Sequence, residues 1–440
     1  MTKISKKIIW SAIAVLFYLP LAAQQEEEHT RTIIASQPEY AGCFYRNYPA
    51  TEARDFSQER PEGYQPFYIS HYGRHGSRWV SDRIIYDRTK ILMEKAARQQ
   101  VLTPEGKELL EEVRTLFEEA EGRAGELSPR GGREHRGIAE RMYRNWPEVF
   151  RQKDGKPVRI DSRATVYTRC IYSMINFDER LKELAPELQI SRKASKKDLH
   201  YMADYSHTGE SYKLALGVSD SLARAWIRPE RFLGALFNDA DFIARIEEPQ
   251  VAMLDFFHLA ADLQAIDRQE MDLFRHFTRE EIFTLWKVLD TQTFIEEGPS
   301  RRFGKDNRAN AINLLENIVR TADEVIAGER DEAATLRFGH ESNIVPLFCL
   351  MGIGSTDFQE GISKEIAAGG KELDLAARWW NISEICPMAT NLQFIFFRND
   401  EGRIKVRVLH NEKDAQLPVE GAPFYDWTVL KTYLEGRIRN

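Results

Sequence analysis

Cysteine is scarce in this chain, with four in 440 residues (Cys43, Cys170, Cys349 and Cys386). Their spacing fits no zinc ligand set. Four cysteines allow three pairings, and the sequence does not choose among them. Cys170 and Cys349 sit in apolar surroundings suited to free core thiols. Basic residues are not in excess: 61 Lys and Arg face 68 Asp and Glu, for a formal net charge of −7. That balance disfavours nucleic acid as a bulk partner, since binding a phosphate backbone usually needs a basic face, so no nucleic-acid partner is expected. Long apolar runs are also missing after the first residues, so no membrane partner is expected for the body of the chain.

The start, MTKISKKIIWSAIAVLFYLPLAAQQ, reads as a secretory leader. Lys3, Lys6 and Lys7 precede an apolar stretch from Ile8 to Leu21, and Ala22-Ala23 offer a cleavage site. Residues 1–23 are therefore expected to be removed and the mature chain exported, to the periplasm or outside the cell; an uncleaved membrane anchor is the alternative. Loss of three lysines and no acid takes the net charge to about −10. An anionic ligand must then be held by a local basic pocket.

Residues 66–71 (PFYISH) read as a buried strand. Residues 83–99 and 105–121 have helical periodicity, with Pro104 as a start, and 131–150 reads as a helix stopped near Pro147. PVRIDSRATVYTRCIYSMINF, from Pro157, reads as a strand that turns into a helix. Residues 196–328 are helical with few strand candidates. A strand returns at ATLRFGH, Ala334 to His340, and NLQFIFFRNDEGRIKVRVLHNE reads as two strands joined at Asn399 to Gly402. The expected architecture is α/β: a mixed, mostly parallel sheet flanked by helices, formed by 24–195 and 329–440, with a helical cap inserted at 196–328. Ligands on such sheets bind beyond the carboxyl ends of the strands. His75 and His340 both follow candidate strands.

Around His75 the chain reads YISHYGRHGSRW, placing Arg74 and Arg78 beside one imidazole. Two permanent cations repel each other and disfavour a charged imidazole. The arrangement is stable when a dianion sits between them. Cleaving a phosphomonoester needs that set: forked guanidiniums for the nonbridging oxygens, a neutral imidazole as nucleophile, and an acid for the leaving oxygen. A match to Arg-His-Gly-x-Arg arises by chance on the order of once in a thousand chains of this length.

RHGSR (Arg74–Arg78) resembles the signature of the histidine phosphatase superfamily. FGHESNIVPLFCLMGI resembles the second signature of its acid phosphatase branch. RATVYTRCIYSMINF resembles the segment that supplies a third phosphate-binding arginine, which falls on Arg169 and not Arg163. SPRGGREHRG, around Gly131 and His135, resembles the branch's intervening helix start. Together with NLQFIFF…VRVLHNEKDAQLP, the match narrows to the multiple inositol polyphosphate phosphatases, which are phytases. It runs from about residue 66 to 420, with no aligned motif in the cap.

The resemblance implies that Arg74, Arg78, Arg169 and His340 hold the phosphate, His75 attacks it, and Glu341 protonates the leaving alcohol. No metal or cofactor is implied, because the arginines supply the positive charge. The substrate class implied is inositol polyphosphates. A broad-specificity acid phosphatase shares every catalytic residue, and a non-catalytic phosphate-binding relative is the remaining alternative. One departure stands out. The phytase family has His-Ala-Glu and the wider branch His-Asp, whereas this chain has His340-Glu341-Ser342, which moves the acid one residue along.

Lys413, in Asn411-Glu412-Lys413, is a candidate contact for a peripheral phosphate. Arg301, Arg302 and Lys305 form the most basic stretch of the cap, which reads chiefly as a solvated face. His71 and His135 read as structural. Phe274, Phe277, Phe283 and Trp286 lie at helical spacing and read as core.

Overall fold

The computed structural model describes residues 27–152, 155–203, 209–354 and 380–439. The expected leader lies outside them. Among the described residues no helix is long and apolar enough to cross a membrane.

Eight strands form one mixed sheet: β1 (Tyr64–Arg74), β2 (Arg159–Ala164), β3 (Gln189–Ala194), β4 (Glu332–Gly339), β5 (Asn391–Asn399), β6 (Ile404–His410), β7 (Lys413–Asp414) and β8 (Tyr425–Asp426). The order is β3-β2-β4-β1-β5-β6-β7, with β8 against β6. β3, β2, β4 and β1 run parallel, and β5 turns the sheet antiparallel from β1 outward. β1 is buried almost throughout, as a strand covered on both faces must be. β3 is the strand that periodicity does not show. Its residues QISRKA are mostly exposed and polar, so no apolar alternation marks it.

Helices Pro129–Asn145 and Thr168–Leu184 pack on each other and share a core with one sheet face, including Trp146, Phe177, Leu336 and Phe338. The other face meets a larger helical layer. That layer contains Glu210–Trp226, Pro249–Asp262, Arg279–Glu296 and Ile312–Ile326. Helices Arg83–Arg98 and Pro104–Glu119 join it: the former packs on Pro249–Asp262, where Arg88 grips Asp255 bidentately at 2.7 Å. Phe274, Phe277, Phe283 and Trp286 are all buried in this layer.

Local chemistry starts these helices where the chain predicts. Thr103 and Ser128 accept hydrogen bonds from Gly106 N and Gly131 N, each followed by a proline at the first helical position. Pro147 ends the second of them, as expected. All four cysteines are free thiols.

Candidate active site

Three parallel strands bring the site together. In register, Arg74 of β1 faces Gly339 of β4, and Ala164 of β2 faces Phe338. The next residues along each strand, His75, His340 and Thr165, therefore emerge side by side at one end of the sheet. His75 N donates to Gly339 O at 2.9 Å, and Thr165 N donates to Phe338 O at 3.0 Å. The His75 and His340 ring centres are 5.7 Å apart. Glu341 opens helix Glu341–Met351, and Arg169 lies in the first turn of Thr168–Leu184.

His75 is wholly buried. Its Nδ1 lies 2.9 Å from the carbonyl oxygen of Gly76. A carbonyl can only accept, so Nδ1 carries the proton and Nε2 presents its lone pair. Nε2 makes no hydrogen bond of good geometry, and its one polar neighbour is Glu341 Oε2 at 3.3 Å. Burial, joined by the charges of Arg74 and Arg169, holds the imidazole well below its usual pKa, against the opposing pull of Glu341. The ring is thus neutral at mildly acidic pH, as a nucleophile requires.

Arg74 is fixed by its neighbours. Its Nη1 donates to the carbonyls of Phe44 (2.8 Å) and Cys386 (2.9 Å), and its Nε to Glu341 Oε2 (3.1 Å). Its Nη2 is buried without a partner, as are Nε of Arg78 and Nε of Arg169. Three unspent guanidinium donors around one imidazole suit a tetrahedral anion. Arg78 also donates to Trp79 O at 2.9 Å and lies over the Tyr45 ring. Arg169 rests over Tyr167 and reaches His340 Nδ1 at 3.5 Å. That contact makes Nδ1 the acceptor, so His340 Nε2–H faces Thr165 Oγ1 at 3.1 Å. His340 is pushed down to about 4 by burial and by the three arginines, despite Glu341.

Glu341 Oε2 sits 3.1 Å from Arg74 Nε and 3.3 Å from His75 Nε2. Burial alone would raise its pKa, but the charge of Arg74, with Arg78 behind it, outweighs burial and holds the carboxyl well below the usual range. Ligand atoms of His75, His340 and Glu341 lie within 4.8 Å of one another. The guanidiniums of Arg74 and Arg169 press on the same groups, so the cluster disfavours a cation and favours an anion.

All six phosphate-site residues read from the sequence therefore meet at the carboxyl ends of β1 and β4 and beside β2. Arg163 is used elsewhere, paired with Asp161 and Asp198 at 3.0 Å. His71 and His135 pack around Phe338 in the core, and burial pushes each down to about 3. Lys413 lies on β7 in an ion pair with Glu52 and does not line the cavity beside Glu341. Arg301, Arg302 and Lys305 are exposed and do not line it either.

Glu134 is a supporting residue that the sequence reading passed over. Its carboxylate accepts from Ser77 N (2.8 Å) and Ser77 Oγ (2.7 Å), clamping the loop after His75. Acidic residues of this kind carry no local signal, because the partner is 57 residues away. The loop also packs directly on the start of helix Pro129–Asn145. A Cβ at Gly76 would lie 2.6 Å from the Gly131 carbonyl oxygen. Gly76→Ala is therefore expected to cost ~1–3 kcal/mol and to depress turnover, because backbone cannot rotate away from the added methyl. A lowered Tm together with a lowered kcat checks this; an unchanged Tm would show that the contact is not tight.

Comparison with known proteins agrees with this geometry. Residues 237–411 match the family described as histidine phosphatase superfamily (branch 2). The fold and the matched sequence resemble that superfamily. No curated protein sequence matches the chain. Among solved structures, the Bifidobacterium longum multiple inositol polyphosphate phosphatase in complex with inositol hexasulfate superposes with a TM-score of 0.73 at 18% identity, covering 90% of this chain and 97% of that one. The phytase from D. castellii superposes at 0.64 and 12% identity, over 91% and 85%. The Citrobacter braakii phytase gives 0.51 at 13%, over 85% and 98%. The matched segment and the shared fold support a phosphomonoesterase.

Proposed function

We propose that the protein hydrolyses phosphomonoesters of inositol polyphosphates through a phosphohistidine formed on His75. One observation carries the reading. His75 Nδ1 is held by the Gly76 carbonyl, and its Nε2, faced by Glu341 Oε2 at 3.3 Å, opens among the spare donors of Arg74, Arg78 and Arg169.

The phosphoryl oxygens take the unpaired N–H groups of the three arginines, with the neutral His340 beside them. One well-placed donor of this kind is commonly worth ~10²–10³ in rate. Nε2 of His75 attacks phosphorus as the P–O bond to the alcohol breaks. Glu341 now occupies contacts that a bound phosphate would claim on Arg74 and His75. Displaced from them, its carboxyl loses what holds its pKa down and can carry a proton to the leaving oxygen. Water then attacks the phosphohistidine, with Glu341 taking the released proton.

The solved relative in complex with inositol hexasulfate supports inositol polyphosphates as the substrate class. The cavity beside Glu341 favours a second reading. It encloses about 250 Å³ and is lined by Phe44, Leu289, Ile382, Glu296 and Glu297, with no lysine or arginine. An acidic, partly apolar wall suits a small phosphate ester of a neutral alcohol better than a second phosphate group. The leader-like residues 1–23 support export to the periplasm or beyond the cell.

Phosphate release from phytate and from 4-nitrophenyl phosphate, each in excess EDTA, tests this. Steady release from phytate that depends on His75 is expected. Release from the aryl ester alone would remove phytate and leave a general phosphomonoesterase. Stoichiometric binding without turnover of either would remove the enzymatic reading.

A further inference from the structure

In the phosphohistidine mechanism Glu341 delivers a proton to the leaving alkoxide, while Arg74 Nε, 3.1 Å away, favours its ionised form. Glu297, just past the end of helix Arg279–Glu296, lines the same cavity as Glu341. Its Oε2 is buried and has no hydrogen-bond partner. A bare buried carboxylate costs far more than the buried neutral acid.

We propose that Glu297 is the proton reserve of the site, passing its proton across the shared cavity to Glu341. This rests on the phosphohistidine reading above. The two carboxyls divide their roles through their surroundings. Burial pushes Glu297 up to about 8, reinforced by the negative charges of Glu341 and Glu296 and only partly relieved by Arg74. Arg74 and Arg78 hold Glu341 down against burial. Paired carboxyls whose environments separate them in this way form an acid and its conjugate partner.

Glu296 lines the same cavity and is likewise raised by burial, eased by Ser219; the remaining titratable groups near Glu297 do not supply its role. Tyr212, from helix Glu210–Trp226, is raised by burial and by Glu296 and Glu297. Burial raises Cys349 and Cys386 to about 12, so both stay neutral thiols. His258, on the cavity wall, is lowered to about 4 by burial and so holds no proton to give at neutral pH.

The steps balance. The O–H of Glu297 passes its proton to the Glu341 carboxylate, leaving Glu297 as the carboxylate. Glu341 gives that proton to the alkoxide oxygen as the N–P bond to His75 forms and the P–O bond breaks. In the second half, water attacks phosphorus, the N–P bond breaks, and the proton lost by water returns through Glu341 to Glu297. Glu297 acts through Glu341 and is a positioning residue for the proton, with no contact to substrate required.

The test compares wild type, Glu297→Gln and Glu297→Asp on an alkyl phosphate (glycerol 2-phosphate) and on 4-nitrophenyl phosphate across pH 4–10. In wild type, kcat on the alkyl ester is expected to fall as pH rises through about 8, where Glu297 loses its proton. Glu297→Gln is expected to lower that kcat ~10²-fold at pH 6 and to erase the fall near pH 8. The aryl ester, whose phenolate leaves without a proton, is expected to change less than about threefold. Glu297→Asp keeps a titratable acid and is expected to retain the alkaline fall with part of the activity; it carries the test should the glutamine variant not fold. Equal losses on both esters, or a wild-type alkaline limb surviving in Glu297→Gln, would overturn the proposal. Wild-type turnover of the aryl ester identifies that failure as one of Glu297 alone, whereas its absence would instead sink the phosphohistidine reading.

Discussion

His75→Ala is expected to remove turnover on every phosphomonoester, by at least ~10⁴-fold, while the protein still folds. Loss of a covalent nucleophile has effects of this size because the remaining groups can only stabilise a reaction that no longer has its attacking atom. His75 is buried, so the fold must be checked directly. The ring bonds the carbonyl of its own neighbour Gly76 and otherwise meets Glu341, which keeps Arg74, so few tertiary partners are orphaned by its removal. The backbone N–H of residue 75 still bonds Gly339 O, and the carbonyl still receives Ala389 N, so β1 stays in register. A Tm within a few degrees of wild type, with no measurable phosphate release, is the expected pair of results. Residual activity within tenfold of wild type would remove His75 as the nucleophile.

Glu341→Gln is expected to lower kcat on an alkyl phosphate by ~10²–10⁴ and on 4-nitrophenyl phosphate by less than about tenfold. The difference arises because an alkoxide must be protonated as it leaves and a nitrophenolate need not be. A second consequence separates this residue from a merely structural one. Glu341 now holds Arg74 Nε through its negative charge. Glutamine keeps a weaker contact and no charge, so inorganic phosphate should inhibit the variant at lower concentration than wild type. Equal losses on both esters, with unchanged inhibition by phosphate, would show that Glu341 neither donates the proton nor competes for the anion.

How far the site could be read in advance follows from where its residues lie along the chain. Arg74, His75 and Arg78 are close in sequence, and each follows from the chemistry of an anion beside an imidazole. His340 is legible as the residue after a strand, whereas Glu341 took its role from the resemblance. Arg169 needed the resemblance, because an arginine in the first turn of a helix has no signature of its own. Glu134 and Glu297 were invisible, since each owes its role to partners from other elements and to burial that the fold creates. Lys413 shows the reverse case. Its neighbours in sequence suggested a ligand contact, but Glu52, 361 residues away, pairs with it. β3 was missed because an exposed polar edge strand lacks the alternation that marks a half-buried one.

The position of β1 has a consequence for how the protein comes into being. β1 carries Arg74 and leads to His75, yet it pairs on one side with β4 and on the other with β5. Those strands end at Gly339 and Asn399. A nascent chain therefore displays its Arg-His motif early in translation with nothing on either flank to hold it. The nucleophile is assembled only after more than three hundred further residues have been synthesised, through pairings of high sequence separation. Ribosome-bound fragments ending before residue 391 should have no phosphatase activity. Activity should then appear late and abruptly as β5 closes the sheet.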